Sequence, residues 1–303
     1  MNQTAEVLIE EKPERLLLEP GWYKDLSNKD YHRSGGTSSS ALKVLMEQTG
    51  AHLQYKRSHP KEPTPSMGLG TAVHCLTLEP ENFDRDIAIM PELNGRTNAG
   101  KLEKQNFFAE NAGKTIITQE QFDQAEIMVA RIHDHPIANI LLDDVITESS
   151  VYWWYKSMDR DDDTRYREMV KVRPDAISKS HPIVIDLKTV KDGSYSGFIR
   201  SIQDYYYHLS AAMYLEGVNQ CMPLLEELGF MAYLKFVFVC VESEPPYEVS
   251  CYELSEEYMA IGKQIYRMAM RRLAESRAAN WPGFPEEVRI IEPPAYATRG
   301  YIV

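Results

Sequence analysis

Cysteine is scarce in this sequence and poorly spaced for a cluster. Its four residues, Cys75, Cys221, Cys240 and Cys251, include no close pair of the C-x-x-C kind. That excludes an iron-sulfur or zinc centre of ordinary spacing and leaves reduced, buried thiols as the expectation. Long apolar runs are also missing, since none approaches the roughly 20 residues of a membrane span. The first residues carry no basic and hydrophobic leader. The chain therefore reads as soluble and cytoplasmic, with no membrane partner. There are no internal repeats and no low-complexity tracts. A surplus of positive charge is absent as well: 33 Lys and Arg stand against 45 Asp and Glu, a net charge of −12. This excludes a general nucleic-acid coat protein, whose binding is driven by counterion release to Lys and Arg. It leaves room for a protein that gathers its positive charge into a groove.

What is present is ample apolar content, 43% of 303 residues, enough for one large domain or two small ones. Residues 1–35 are polar and irregular and read as a partly ordered arm, with 36–303 as a single domain. Ser38-Ser39-Ser40 reads as the N-cap of a short helix through Met46. Gly68–Leu78 reads as a second helix carrying His74, bounded by Pro65 and Pro80. Residues 85–115 read as a long surface excursion. Thr118-Gln119-Glu120-Gln121 is a capping box, with Ile117 and Phe122 as its hydrophobic staple. A helical stripe runs from there to about His133, and Pro136 opens a short helix to Leu142. Ser150–Lys156, Tyr166–Arg173 and Pro182–Val190 suggest an antiparallel meander, turning at Asp161-Asp162-Asp163. Ser194–Gly217 has helical length, Phe230–Val241 is a long apolar strand paired with Tyr247–Tyr252, and Ser255–Ala279 is the last helix. The tail from Trp281 is rich in proline and aromatics. The whole is an α/β fold, a mixed central sheet flanked by helices.

The chemistry concentrates near the middle. Asp175, within Arg173-Pro174-Asp175-Ala176, lies eleven residues before Asp186, which ends the apolar run Ile183-Val184-Ile185 and is followed by Leu187-Lys188. Side chains at i and i+2 of a strand share a face, so Asp186 and Lys188 project together. A second strand and a turn can bring Asp175 back beside them. Two carboxylates are hard ligands for Mg²⁺, which binds substrate phosphate as well, and a lysine adds a compact positive charge next to the attacked group. An acid-x-lysine triplet is a weak signal by itself, and Glu10-Glu11-Lys12 is a second copy without a partner carboxylate. Glu148, at the start of the meander, is within reach as an accessory carboxylate. Basic residues cluster around this region, among them Arg173, Lys191 and Arg200, the candidates for contact with nucleic acid. Histidine on an apolar helix is more often a core residue than a ligand.

Further blocks accompany this motif in order: Tyr31 with Ser38-Ser39-Ser40-Ala41-Leu42-Lys43, Gly70-Thr71-Ala72-Val73-His74-Cys75 with Leu78-Glu79-Pro80, Tyr207-His208 with Tyr214, and Trp281-Pro282-Gly283. Together they resemble the exonuclease VIII (RecE) type of nuclease domain, within the PD-(D/E)xK group that includes lambda exonuclease. The resemblance implies a restriction-endonuclease-like core. It also implies an enzyme that degrades one strand of linear duplex DNA from its 5′ end, releasing mononucleotides and leaving a 3′ single-stranded tail. It implies a ring-shaped homo-oligomer, a trimer or tetramer, and a single-strand annealing partner of the RecT type. By position, His74, Asp175, Asp186 and the backbone carbonyl of Leu187 would bind Mg²⁺, and Lys188 would be the catalytic lysine. Histidine is softer than Mg²⁺ prefers, so Mn²⁺ is expected to substitute. The helix after the lysine strand usually carries Gln-x-x-x-Tyr in this group. Here Tyr214 aligns with Ser210 in place of the glutamine, whereas Gln203 and Tyr207 keep the spacing one register earlier. Two rival readings share these residues: another nuclease of the same core, such as a structure-specific endonuclease or a CRISPR-adaptation-type end processor, and a non-catalytic module that binds DNA ends.

Overall fold

Short polar side chains set where most of the helices begin. The computed structural model describes residues 16–59, 64–93, 96–156 and 166–293. Its elements in chain order are β1 (Gly21–Tyr23), α1 (Asn28–Arg33), α2 (Ser39–Glu47), α3 (Gly50–Ser58), α4 (Pro65–Leu78), α5 (Phe83–Asp86), β2 (Ile87–Met90), α6 (Asn98–Glu110), β3 (Thr115–Thr118), α7 (Gln119–Asp134), α8 (Pro136–Leu142), β4 (Val145–Thr147), β5 (Ser150–Lys156), β6 (Arg167–Val172), β7 (Ala176–Ser178), β8 (Ile183–Val190), α9 (Tyr195–Asp204), α10 (Tyr207–Gln220), α11 (Met222–Leu228), β9 (Lys235–Glu242), β10 (Val249–Glu253) and α12 (Glu256–Ala278). Thr64, Thr97, Ser194 and Ser255 each accept a hydrogen bond from a first-turn N–H of α4, α6, α9 and α12. Thr118 and Gln121 form both halves of the expected capping box on α7. Such caps are worth about 1 kcal/mol apiece. Ser38 precedes α2 without bonding its backbone, and its hydroxyl meets Ser40 Oγ instead.

Among the described residues the strands form a five-stranded sheet in the order β10-β9-β8-β7-β4, a three-stranded sheet β1-β5-β6 and a parallel pair β2-β3. Strand β8 is central, parallel to β9 and antiparallel to β7. Its period of two divides the core. Val184, with Phe236, Phe238 and Cys240 of β9, packs on one side among residues of α2, α10 and α12 such as Leu42, Met213 and Met270. Ile185 and Leu187, with Val239 and Val241, pack on the other among Val73 of α4 and Met128 and Ile132 of α7. Helices on both faces of a mixed sheet make the expected α/β architecture. No helix among the described residues is long and apolar enough to cross a membrane.

Several local expectations are corrected. Residues 85–115 are no surface excursion throughout: α6 and the β2-β3 pair occupy most of them, with Ile87 and Ile117 buried. The meander is divided between two sheets, because β6 pairs with β5 and the short β7, not β6, pairs with β8. The helix expected over 194–217 is two helices, broken where Tyr206 takes a left-handed backbone with φ of 50°. The break lets Phe198 of α9 and Tyr207 of α10 both close on Phe238, at ring separations of 5.2 and 5.7 Å. Strand β9 starts at Lys235, later than expected, after the additional helix α11. Residues 1–15 of the proposed arm, Glu10-Glu11-Lys12, the Asp161-Asp162-Asp163 turn and the tail beyond residue 293 lie outside the described residues. Within the arm, β1 pairs with β5, and Tyr31 of α1 is buried.

Candidate metal and catalytic site

The site grows from an interruption in strand pairing. Strands β5 and β6 pair as far as Val151↔Val172, and β4 and β7 resume at Thr147↔Ala176 in the same register. In the gap Glu148 stands opposite Asp175, its N–H donating to the Asp175 carbonyl at 3.1 Å. Glu148 has φ of 46° and Pro174 has no N–H to give, so a regular ladder cannot continue here. On the other side, the β7-β8 register of Ala176↔Ile185 places Asp186 one step further on, opposite Asp175. Residues so related have Cβ atoms about 5 Å apart. Glu148, Asp175 and Asp186 thus form a single row across the strands, and Phe238 of β9 continues it.

Two further side chains close on this row. His74 reaches from α4 to place Nε2 at 2.7 Å from the Leu187 carbonyl oxygen and Nδ1 at 3.7 Å from Asp175 Oδ2. A carbonyl only accepts, so Nε2 donates to it, and this bond aims Nδ1 at the Asp175 carboxylate. The Leu187 N–H donates to Asp175 Oδ2 at 2.7 Å. Donor atoms of His74, Glu148 and Asp175 all lie within 4.8 Å of one another. Asp186 stands apart from that trio because its Oδ2 is ion-paired with Lys188 Nζ. Leu187, between them, is buried in the opposite core layer.

Electrostatics make the trio short of positive charge. Burial raises the Asp175 carboxyl, and the neighbouring Asp186 raises it further. Burial, then the charge of Asp175, pushes Glu148 up to about 8, with Arg173 opposing. Burial acts to lower Lys188, but Asp186 and Asp175 outweigh it and hold the ammonium above the usual lysine range. A pair of half-buried carboxylates beside an imidazole fits a hard divalent cation that also tolerates nitrogen. Such an ion would relieve the repulsion that the row creates.

The two outer members of the row, Glu148 and Asp186, lie in the wall of a cleft of 1560 Å³, together with Lys188, with Tyr207, Ser210 and Tyr214 from α10 and with Lys43 from α2, while Asp175 and His74 sit behind that wall. Eight Lys and Arg residues line it against three carboxylates, so the cleft is positive in a chain of net charge −12. Of the residues expected to touch nucleic acid, Arg173 lines the cleft, but its Nε donates to Ser150 Oγ at 2.8 Å and its guanidinium to the Leu26 carbonyl at 2.6 Å. Lys191 and Arg200 do not line it, and Arg200 pairs with Asp192 at 2.9 Å. Gln203 lies in a separate groove, donating to the Tyr258 hydroxyl at 3.4 Å. The break at Tyr206 explains this, because it ends the continuous helix face that would have carried Gln203 alongside Tyr207. Sequence reasoning gave no role to Lys43, although it stands in the Ser-Ser-Ser-Ala-Leu-Lys block, nor to the basic residues of α3.

Residues 38–292 match the family described as a PDDEXK-like domain of unknown function (DUF3799). The chain belongs to this family. Its description agrees with the mixed sheet and with the placement of an acid, an acid and a lysine around β8. A solved structure of a candidate exonuclease from Eubacterium rectale shares the fold at a TM-score of 0.58 and 14% identity, covering 91% of this chain and 99% of that one. The structure of SSO0001, at a TM-score of 0.28 and 15% identity over 68% of this chain and 86% of that one, is too distant to bear on the fold. None of the curated proteins compared with the chain matches it. The DUF3799 domain accordingly carries the PD-(D/E)xK nuclease core, with an acidic and histidine cluster suited to a divalent metal.

Proposed function

We propose that this DUF3799 protein is a Mg²⁺-dependent exodeoxyribonuclease acting on the ends of linear duplex DNA. The observation that carries the reading is the row of Glu148, Asp175 and Asp186, flanked by His74 and Lys188, with Glu148, Asp186 and Lys188 of this group opening onto a positive cleft. His74, Glu148 and Asp175 hold the cation, with Asp186 and the Leu187 carbonyl at the edge of the same site. The cation, when bound, supplies a Lewis acid for the phosphodiester and eases ionisation of water. Asp186 fixes the Lys188 ammonium, which neutralises charge at the phosphate under attack and orients the water. The Tyr207 and Tyr214 hydroxyls, from the cleft wall, contact the sugar-phosphate backbone.

The exonuclease VIII resemblance supports the finer points: digestion from the 5′ end to mononucleotides, a 3′ tail for an annealing protein of the RecT type, and ring assembly. The polar, irregular composition of residues 1–35 supports 36–303 as the nuclease unit and the preceding residues as an arm that lends β1 and Tyr31 to it. Mn²⁺ substitutes for Mg²⁺ because His74 contributes a nitrogen ligand. Duplexes labelled at either the 5′ or the 3′ end, incubated with Mg²⁺, Mn²⁺ or chelator, test the reading. Metal-dependent release of the 5′ label as mononucleotide, with covalently closed circles left intact, is the expected result. Cutting of closed circles would instead identify an endonuclease, and no release with either metal would leave a binding module.

A further inference from the structure

Lys43 is an ammonium without an anion. It projects from α2 into the cleft, half-buried, and among the described residues its only close partner is the Tyr207 ring, whose centroid lies 5.2 Å from Nζ. Lys188 Nζ rests 5.4 Å from the centroid of that same ring. Two ammonium groups therefore share one aromatic ring, but only one of them is neutralised: Lys188 has Asp186, whereas Lys43 has no carboxylate in contact. Cations on a ring face gain from its quadrupole, yet that attraction is small beside the cost of withdrawing a charge from water next to a like charge. Burial, then Lys188, pushes the Lys43 ammonium down to about 8, only partly offset by Asp186 and Glu47. The fold tolerates this arrangement without supplying a counterion, although Ser210, Tyr214 and other neutral side chains line the same space.

We propose that Lys43 is a second phosphate-binding group of the cleft, holding a phosphodiester of the DNA strand whose neighbouring linkage lies against Lys188. The inference rests on the nuclease reading above and extends it to a residue with no assigned part in the site. The ligand class follows from the chemistry. The partner must be anionic, because two adjacent ammonium groups repel each other until one arrives. It must also extend past Lys188, because the two lysines enter from different elements, α2 and β8. A polynucleotide backbone presents negative charges in series and meets both requirements. Both ammonium groups lie within 5.4 Å of the centre of the Tyr207 ring, which keeps them in one part of the cleft.

The test uses the full-length protein and binding to a linear duplex in Ca²⁺, read by fluorescence anisotropy across a salt series. Lys43→Met keeps the aliphatic stem and removes the charge, and Lys43→Arg keeps the charge. Lys43→Met should weaken binding alike for unrelated sequences and make the salt slope shallower by about one unit, whereas Lys43→Arg should retain the wild-type slope. In duplexes carrying one neutral methylphosphonate linkage at a time, one position should weaken wild-type binding and leave Lys43→Met unaffected. Because the lost charge has no partner, Lys43→Met should unfold at a temperature no lower than the wild type. An unchanged slope and methylphosphonate profile, or weaker binding accompanied by a lower unfolding temperature, would overturn the assignment. Protein that binds in Ca²⁺ but releases no nucleotide in Mg²⁺ sinks the nuclease reading and leaves the Lys43 contact standing. Active nuclease with an unaltered Lys43→Met slope sinks only the contact.

Discussion

Each charged side chain of the row has a different neighbour, and that decides what its loss should do. Lys188 is held by Asp186 and touches no ligand of the His74 trio, so Lys188→Met should lower turnover by about 10²–10⁴-fold, the range for a lost proton-transfer or charge-stabilising group. Duplex binding in Ca²⁺ should persist, and single-turnover digestion beside an anisotropy titration separates the two effects. Glu148 makes the opposite kind of prediction, because its carboxyl is strained toward the protonated form. Its ordinary value is 4.5, and the fold raises it to about 8. Between those values the unfolded chain has given up a proton that the folded chain still holds. The stability this group contributes is complete below pH 4.5 and is lost as pH rises through about 8. The thermal midpoint of metal-free protein should fall across that interval, and Glu148→Gln should flatten the fall. An identical pH profile in the variant would show that Glu148 ionises freely.

At the scale of elements, the site depends on how closely the helices can approach. A Cβ added to Gly262 of α12 would lie 2.1 Å from the His208 carbonyl oxygen of α10, so these helices cross with backbone nearly in contact. Gly262→Ala should cost about 1–3 kcal/mol or more, the usual penalty for overpacking, as read by denaturant unfolding. It should also shift Tyr207 and Tyr214, which ride on α10. How much of this was legible in the sequence differs by element. The α7 capping box and the two-sided burial of β8 follow from local pattern, and both appear as read. The separation of Asp175 from Asp186 is legible too, since a turn and two short pairings bring them opposite each other. Strands β4 and β7 span three residues each, too few for period or propensity to register; pairing with neighbours creates them. The break at Tyr206 likewise goes with packing of both helices on Phe238, which is remote in sequence. Glu148 was within reach of a sharper argument. Once Val151 is paired with Val172, carrying the same register three residues outward sets Glu148 opposite Asp175.

For the molecule as a whole, charge is segregated: the sequence is acidic at −12, while the cleft is lined mostly by Lys and Arg. An acidic exterior repels DNA and a basic cleft accepts it, so association with a linear duplex should weaken steeply with salt. If six or more phosphates are contacted, affinity should drop about 10³-fold or more between 50 and 200 mM salt. A nearly flat dependence would place the DNA path somewhere other than this cleft. The interrupted hairpin has one more consequence. Glu148 and Asp175 lie where the chain passes between the three-stranded and five-stranded sheets, and only one backbone hydrogen bond joins them there. An ion gripped by both would act as a rivet through a seam that hydrogen bonding leaves thin. Amide exchange at residues 148–150 and at the non-proline positions of 173–175 should therefore slow when Mg²⁺ is added, with the strands on either side little changed.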